Sequence, residues 1–153
     1  MKLYLVRHAQ PVGKDVNAAR PLSDTGRQQA ERVAAHLRDR GVHLAEILHS
    51  TKARAAQTAG IIRAHLDGAR VIEMEGLAPE DPVEPLADHI GQAEQDTMVV
   101  GHLPFLPALA ARLLGEPADL AFPTAGVVVL ARGPDGGWSV QEQFSPQSLS
   151  TRD

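Results

Sequence analysis

The chain contains no cysteine, which excludes disulfides, zinc–thiolate sites and thiol nucleophiles from its chemistry. Aromatic residues make up only 3% of it, so the core must be assembled mainly from Ala, Val, Leu and Ile. Long apolar runs are missing as well. The most apolar stretch, Ala125 to Ala131, falls far short of the roughly 20 residues that a membrane-spanning helix needs. Leu3-Tyr4-Leu5-Val6 is too short for the apolar segment of a secretory signal, and Arg7-His8 cuts it off at once. A cytoplasmic location, with no membrane partner, is therefore expected. Clustered charge of one sign is also absent. A net charge of -4 with no Lys/Arg block leaves no footprint for nucleic acid.

What remains is the composition of a globular protein, with 153 residues, 43% hydrophobic and 22% charged. That length suits one ordinary domain with a real core. A single domain is expected over residues 1–144, followed by a polar tail over 145–153 that frays. Within the domain, short β-rich runs alternate with helical patterns. Lys2 to Val6 reads as a buried strand, Glu46 to His49 as a second, Arg70 to Glu73 as a weaker third and Thr97 to Val100 as a fourth.

Helical spacing appears over Gln28 to Arg40, with Gly41 as its stop and Ser23, Asp24 or Thr25 as its cap. A second helix runs from a cap at Ser50 or Thr51 to about Leu66, with Ala59, Ile62 and Leu66 on one face. Val83, Leu86 and Ile90 keep a helical stripe within an acidic, proline-punctuated stretch. Phe105 to Leu114 is a further helix, with Pro104 at its first position. Gly126 to Ala131 and Trp138 to Phe144 form a hairpin through Pro134-Asp135-Gly136-Gly137. This alternation implies an α/β fold with a mostly parallel sheet and an antiparallel strand added by the hairpin.

Ligands of such sheets bind beyond the carboxyl ends of the strands. There the chain places residues of one chemical kind. The first strand ends in Arg7-His8, the second in His49-Ser50 with Arg54 in the next helical turn, and the fourth in Gly101-His102. Parallel strands would bring Arg7, His8, Arg54 and His102 to one edge, close to helix N-termini. Guanidiniums and helix N-termini both favour a tetrahedral anion such as phosphate. Taken singly, Arg7 is as well explained by a solvated strand-end charge and His8 by a structural histidine. The joint pattern favours a phosphate site.

Leu5-Val6-Arg7-His8-Ala9 resembles the Arg-His-Gly signature of the histidine phosphatase superfamily, which includes the phosphoglycerate mutases. The resemblance extends to Arg20-Pro21-Leu22-Ser23-Asp24-Thr25-Gly26, to Ser50 through Ala59, and to Val99-Val100-Gly101-His102-Leu103-Pro104. It implies a three-layer α/β/α sandwich of the phosphoglycerate mutase-like kind. Ala9 stands where the family usually has Gly, a replacement also common in its smallest members. The long insertion that covers the substrate in larger members is absent. The compact chain is most similar to the SixA-type phosphohistidine phosphatases.

The resemblance assigns the nucleophile to His8, which would form a phosphohistidine intermediate that water cleaves. Arg7 and Arg54 would hold the phosphoryl oxygens, and His102, as imidazolium, would donate to developing charge. No metal or other cofactor is expected, since guanidiniums take that place. Glu80, or Asp81 beside it, is the candidate acid for the leaving group. Arg20 and Ser50 are further candidate phosphate contacts. His49 reads as a core residue, and His36, His43, His65 and His89 as surface or packing residues. The expected partner is a phosphate-bearing substrate, either phosphohistidine on a signalling protein or a small phosphomonoester. A non-catalytic phosphoprotein-binding module is the third reading, and mutase activity is the least favoured. Oligomeric state is not legible in the sequence.

Overall fold

The computed structural model describes residues 1–149. Its six strands are β1 (Lys2–Arg7), β2 (Glu46–His49), β3 (Arg70–Glu73), β4 (Thr97–Gly101), β5 (Val127–Arg132) and β6 (Trp138–Phe144). They form one sheet in the order β3-β2-β4-β1-β5-β6. The pairs β2–β3, β2–β4 and β1–β4 are parallel, whereas β1–β5 and β5–β6 are antiparallel. The sheet is thus mostly parallel, with the hairpin closing one side.

Period-two burial divides this sheet into two cores. Tyr4, Val6, Ile47, Met98, Val100, Val127 and Val129 face one side, where they pack with α1 (Asp24–Asp39) and α2 (Ala53–His65). Leu3, Leu5, Leu48, Val99, Val128 and Leu130 face the other, against α3 (Glu84–Gly91) and α4 (Phe105–Leu114). The alternation explains the strands' continuous apolar runs: both faces are covered, so no position along them is polar by default. The result is the three-layer α/β/α sandwich.

Several boundaries differ from the sequence expectation for identifiable reasons. Helix α1 begins at Asp24, a turn before the apolar spacing that starts at Gln28, and its cap is Ser23, one of the three expected, whose hydroxyl accepts the Gly26 N–H at 3.0 Å. Gly26 discourages a helix by propensity but is required here by space. A Cβ on it would lie 2.0 Å from the Gln10 carbonyl oxygen. At the other end the helix stops as expected. Gly41 has φ +69°, its N–H donates to Arg38, and Val42 N–H donates to Leu37.

Neither Ser50 nor Thr51 caps α2, whose cap position is Lys52. Pro104 likewise stands one place before α4, at its cap. The tail was expected to fray, yet its first residues form a short helix, α5 (Pro146–Leu149), that lies against α1 with Pro146 buried. The remainder of the tail, 150–153, lies outside the described residues. Among the described residues no helix is long and apolar enough to cross a membrane.

Candidate active site

The parallel strands end together, and the groups expected at their ends do converge. A cleft of about 210 Å³ is lined by Arg7, His8, Pro11, Arg20, Arg54, Pro79, His102 and Leu103. His8 is fixed there by its own backbone. Its N–H donates to Gly101 at the end of β4, at 3.0 Å, and its carbonyl accepts from Ala125 ahead of β5, at 3.1 Å. Ala9 is fully buried, and its N–H donates to Thr58 Oγ1, which in turn donates to the Arg54 carbonyl. One threonine therefore ties the end of β1 to the first turn of α2, setting Arg54 relative to His8.

Side-chain bonds fix the chemistry of His8. Its Nδ1 donates to the Ala9 carbonyl at 2.8 Å. A neutral imidazole carries one N–H, so Nε2 holds the free lone pair. Burial, with Arg54, Arg7 and Arg20 nearby, lowers its pKa to about 4, although the Ala9 bond opposes the shift. His8 is therefore uncharged at neutral pH.

His102 faces it, with ring centroids 5.0 Å apart and planes tilted by 51°. Burial foremost, then the His8, Arg54, Lys52 and Arg7 charges, lower its pKa to about 3. The expectation of an imidazolium is thus corrected: in the resting site His102 is neutral, because burial disfavours its charged form and a further cation beside three guanidiniums is unfavourable.

The arginines differ in how they are held. Arg7 Nη1 donates to the Phe122 carbonyl at 3.0 Å, fixing the guanidinium from outside the strand. Arg20 Nε donates to the Val12 carbonyl at 3.1 Å, and its backbone is left-handed, with φ +52°. Its loop is pinned at the base by the Pro11–Leu22 bridge. Burial lowers the pKa of Arg7, and burial followed by the nearby Arg20 charge lowers that of Arg54. Arg7 Nε, Arg54 Nε and His102 Nδ1 are buried without a hydrogen-bond partner. The two guanidinium Nε atoms are donors, and unpaired buried donors are costly, a pattern that an anion in the cleft would relieve.

The remaining candidates are placed differently. Ser50 is 1% exposed, and its hydroxyl is 2.6 Å from His102 Nε2, so its partner is the histidine rather than the open cleft. Glu80 is exposed, one residue beyond the cleft-lining Pro79. Asp81 Oδ2 accepts the Ala78 N–H at 2.8 Å, which commits it to its own turn. His49 is a core residue as expected, with Nδ1 donating to the Ser50 carbonyl. Pro11, Pro79 and Leu103 line the cleft but carry no sequence signal for chemistry, and the Phe122 carbonyl is invisible to any reading of side chains. No group of three or more potential metal-ligating side chains is found among the described residues.

Known proteins of similar sequence and fold show the family of the chain. The mouse (Mus musculus) serine/threonine-protein phosphatase PGAM5, mitochondrial, is 34% identical over 84 residues, covering 54% of this chain and 29% of that protein. The chain thus spans under a third of the length of the curated relatives it matches. The fold matches a structure of the protein histidine phosphatase SixA complexed with tungstate. There the TM-score is 0.86, with 23% identity and coverage of 97% of this chain and 99% of the other. A putative phosphohistidine phosphatase SixA from Agrobacterium tumefaciens superimposes with TM-score 0.78 and 27% identity, covering 95% and 97% of the two chains. The model of the histidine phosphatase superfamily (branch 1) matches residues 3–79, half of the chain and the part that carries Arg7, His8, Arg20 and Arg54. The chain belongs to the histidine phosphatase superfamily.

Proposed function

We propose that the protein is a phosphatase in which His8 Nε2 attacks phosphorus and water then cleaves the phosphohistidine so formed. The observation that carries this reading is the pairing of a neutral His8, whose lone pair is fixed on Nε2 by the Ala9 carbonyl, with three guanidiniums at the same cleft. Phosphoryl transfer is mainly positioning plus neutralisation of the equatorial oxygens. Arg7, Arg54 and Arg20 supply that neutralisation without a metal ion. His102 contributes a hydrogen bond rather than a charge. In the first step the P–O or P–N bond to the leaving group breaks as the bond from His8 Nε2 forms. In the second, water attacks the phosphohistidine, releasing inorganic phosphate and restoring His8.

Phosphohistidine on a signalling protein is the preferred substrate. No carboxylate lines the cleft, and imidazole leaves from phosphorus more readily than an alkoxide, so a strong acid is least necessary there. Similarity to structures described as SixA phosphohistidine phosphatases supports the same choice. The second reading is a small phosphomonoester, with exposed Glu80 beside Pro79 as the acid. What favours it is the position of Glu80, exposed and one residue beyond the cleft-lining Pro79.

The test compares kcat/KM on a phosphohistidine-bearing protein domain with kcat/KM on a panel of small phosphoesters. The expected result is higher kcat/KM on the protein substrate. A preference for one small ester by orders of magnitude would overturn the protein-substrate choice. Absence of turnover on every substrate, with phosphate still bound, would indicate a binding module.

A further inference from the structure

We propose that Ser50 is a positioning residue whose hydroxyl donates to His102 Nε2 and so holds His102 in the tautomer that carries its proton on Nδ1. The kinetic consequence rests on the phosphatase reading above; the tautomer rests on the Ser50–His102 geometry together with an uncharged His102.

Ser50 is the first residue after β2 and His102 the first after β4. These strands are parallel neighbours, with His49 opposite Val100. The register brings the hydroxyl and the imidazole together at 2.6 Å, and each residue is only 1% exposed. Ser50 Oγ also accepts the Lys52 N–H at 3.3 Å. A hydroxyl has one hydrogen and two lone pairs, so after receiving the Lys52 N–H it still needs an acceptor for its own hydrogen, and among the described residues His102 Nε2 is the acceptor within reach. Burial keeps His102 neutral, so it has a single N–H. If Nε2 accepts from Ser50, that N–H is on Nδ1, the buried nitrogen with no hydrogen-bond partner in the protein.

The choice of tautomer decides what His102 offers a ligand. With Nε2 committed to Ser50, Nδ1 is the remaining ring nitrogen of a cleft-lining residue. Protonated, it donates to a phosphoryl oxygen. In the other tautomer it would present a lone pair to the same oxygen, which is repulsive. A serine with no direct part in the chemistry would thus determine whether His102 helps or hinders it.

The test uses the full chain and reads the ring nitrogen NMR shifts of His102 at neutral pH, a measurement independent of turnover. The wild-type protein is expected to show protonated Nδ1. Ser50→Ala should lose that preference, and Ser50→Thr, which keeps the hydroxyl, should retain it. In kinetics, Ser50→Ala should lower kcat by about ten- to a hundredfold, as partners that orient active groups typically do, with KM little changed. Protonated Nε2 in the wild-type protein would overturn the proposal, as would identical His102 shifts in wild type and Ser50→Ala. An inactive wild-type protein with the expected tautomer change would support the positioning role while refuting the phosphatase reading.

Discussion

His8 and His102 stand ring to ring at 5.0 Å as two uncharged imidazoles beside a set of guanidiniums. This division of labour separates charge from nucleophilicity. Burial first, and the arginine charges second, suppress protonation of the histidines, which keeps a lone pair available on His8 well below the usual histidine pKa.

Removal of the nucleophile is the most direct check. His8→Ala should lower kcat by roughly 10⁴-fold or more, since the covalent route is lost and only binding remains. Phosphate binding, measured by calorimetry, should survive. Turnover in His8→Ala equal to that of the unsubstituted protein would refute the nucleophile assignment.

Arg54→Ala should cost about 10²- to 10³-fold in kcat/KM, the range for removing one preorganised charge-stabilising donor. Arg54→Lys should recover little of this loss, because an ammonium does not reproduce the planar fork of donors. Full recovery with lysine would show that only the charge matters.

Acidity gives a third prediction. Both site histidines have pKa values lowered on folding, to about 4 and about 3. The unfolded chain therefore binds more protons between those values and the ordinary 6.5, so stability rises with pH across that window. This contribution is complete above about pH 6.5 and declines as pH falls toward 4. Thermal melting against pH should show the decline, and His8→Ala should reduce it. The acid limb of kcat/KM should correspondingly lie near pH 4 rather than 6.5. A bound oxyanion such as tungstate should shift both histidine titrations upward, since it favours their charged forms.

Gly26→Ala tests the frame. The added Cβ would meet the Gln10 carbonyl oxygen at 2.0 Å, a backbone contact that only main-chain movement relieves. A loss of about 1–3 kcal/mol is expected from overpacking of this kind, read by denaturant unfolding. Activity should fall as well, because Gln10 lies two residues after His8. An unchanged midpoint would mean that the loop yields freely.

The elements whose signals are local were legible in the sequence. Strands β2, β3 and β6 and helix α4 fall where apolar runs and proline punctuation place them. The four residues Arg7, His8, Arg54 and His102 were legible because parallel strand ends must meet at one edge. What was not legible depends on partners distant in the chain. Gly26 sits in the first turn of a helix despite its propensity because Gln10 leaves no room for a larger residue. Ser50 has the chemistry of a helix cap but binds a histidine 52 residues away. The charge of His102 depends on how much water the fold excludes, and no motif encodes that.

The main chain of His8 is hydrogen-bonded on both sides, to Gly101 and to Ala125, beside the central strands of the sheet. Amides bonded into the core strands of a sheet are among the last to open. Arg20, in contrast, belongs to a surface loop pinned chiefly at its base. The nucleophile's backbone is thus tied to two strands of the sheet, whereas Arg20, one of the three cations around it, is held through bonds within its own loop.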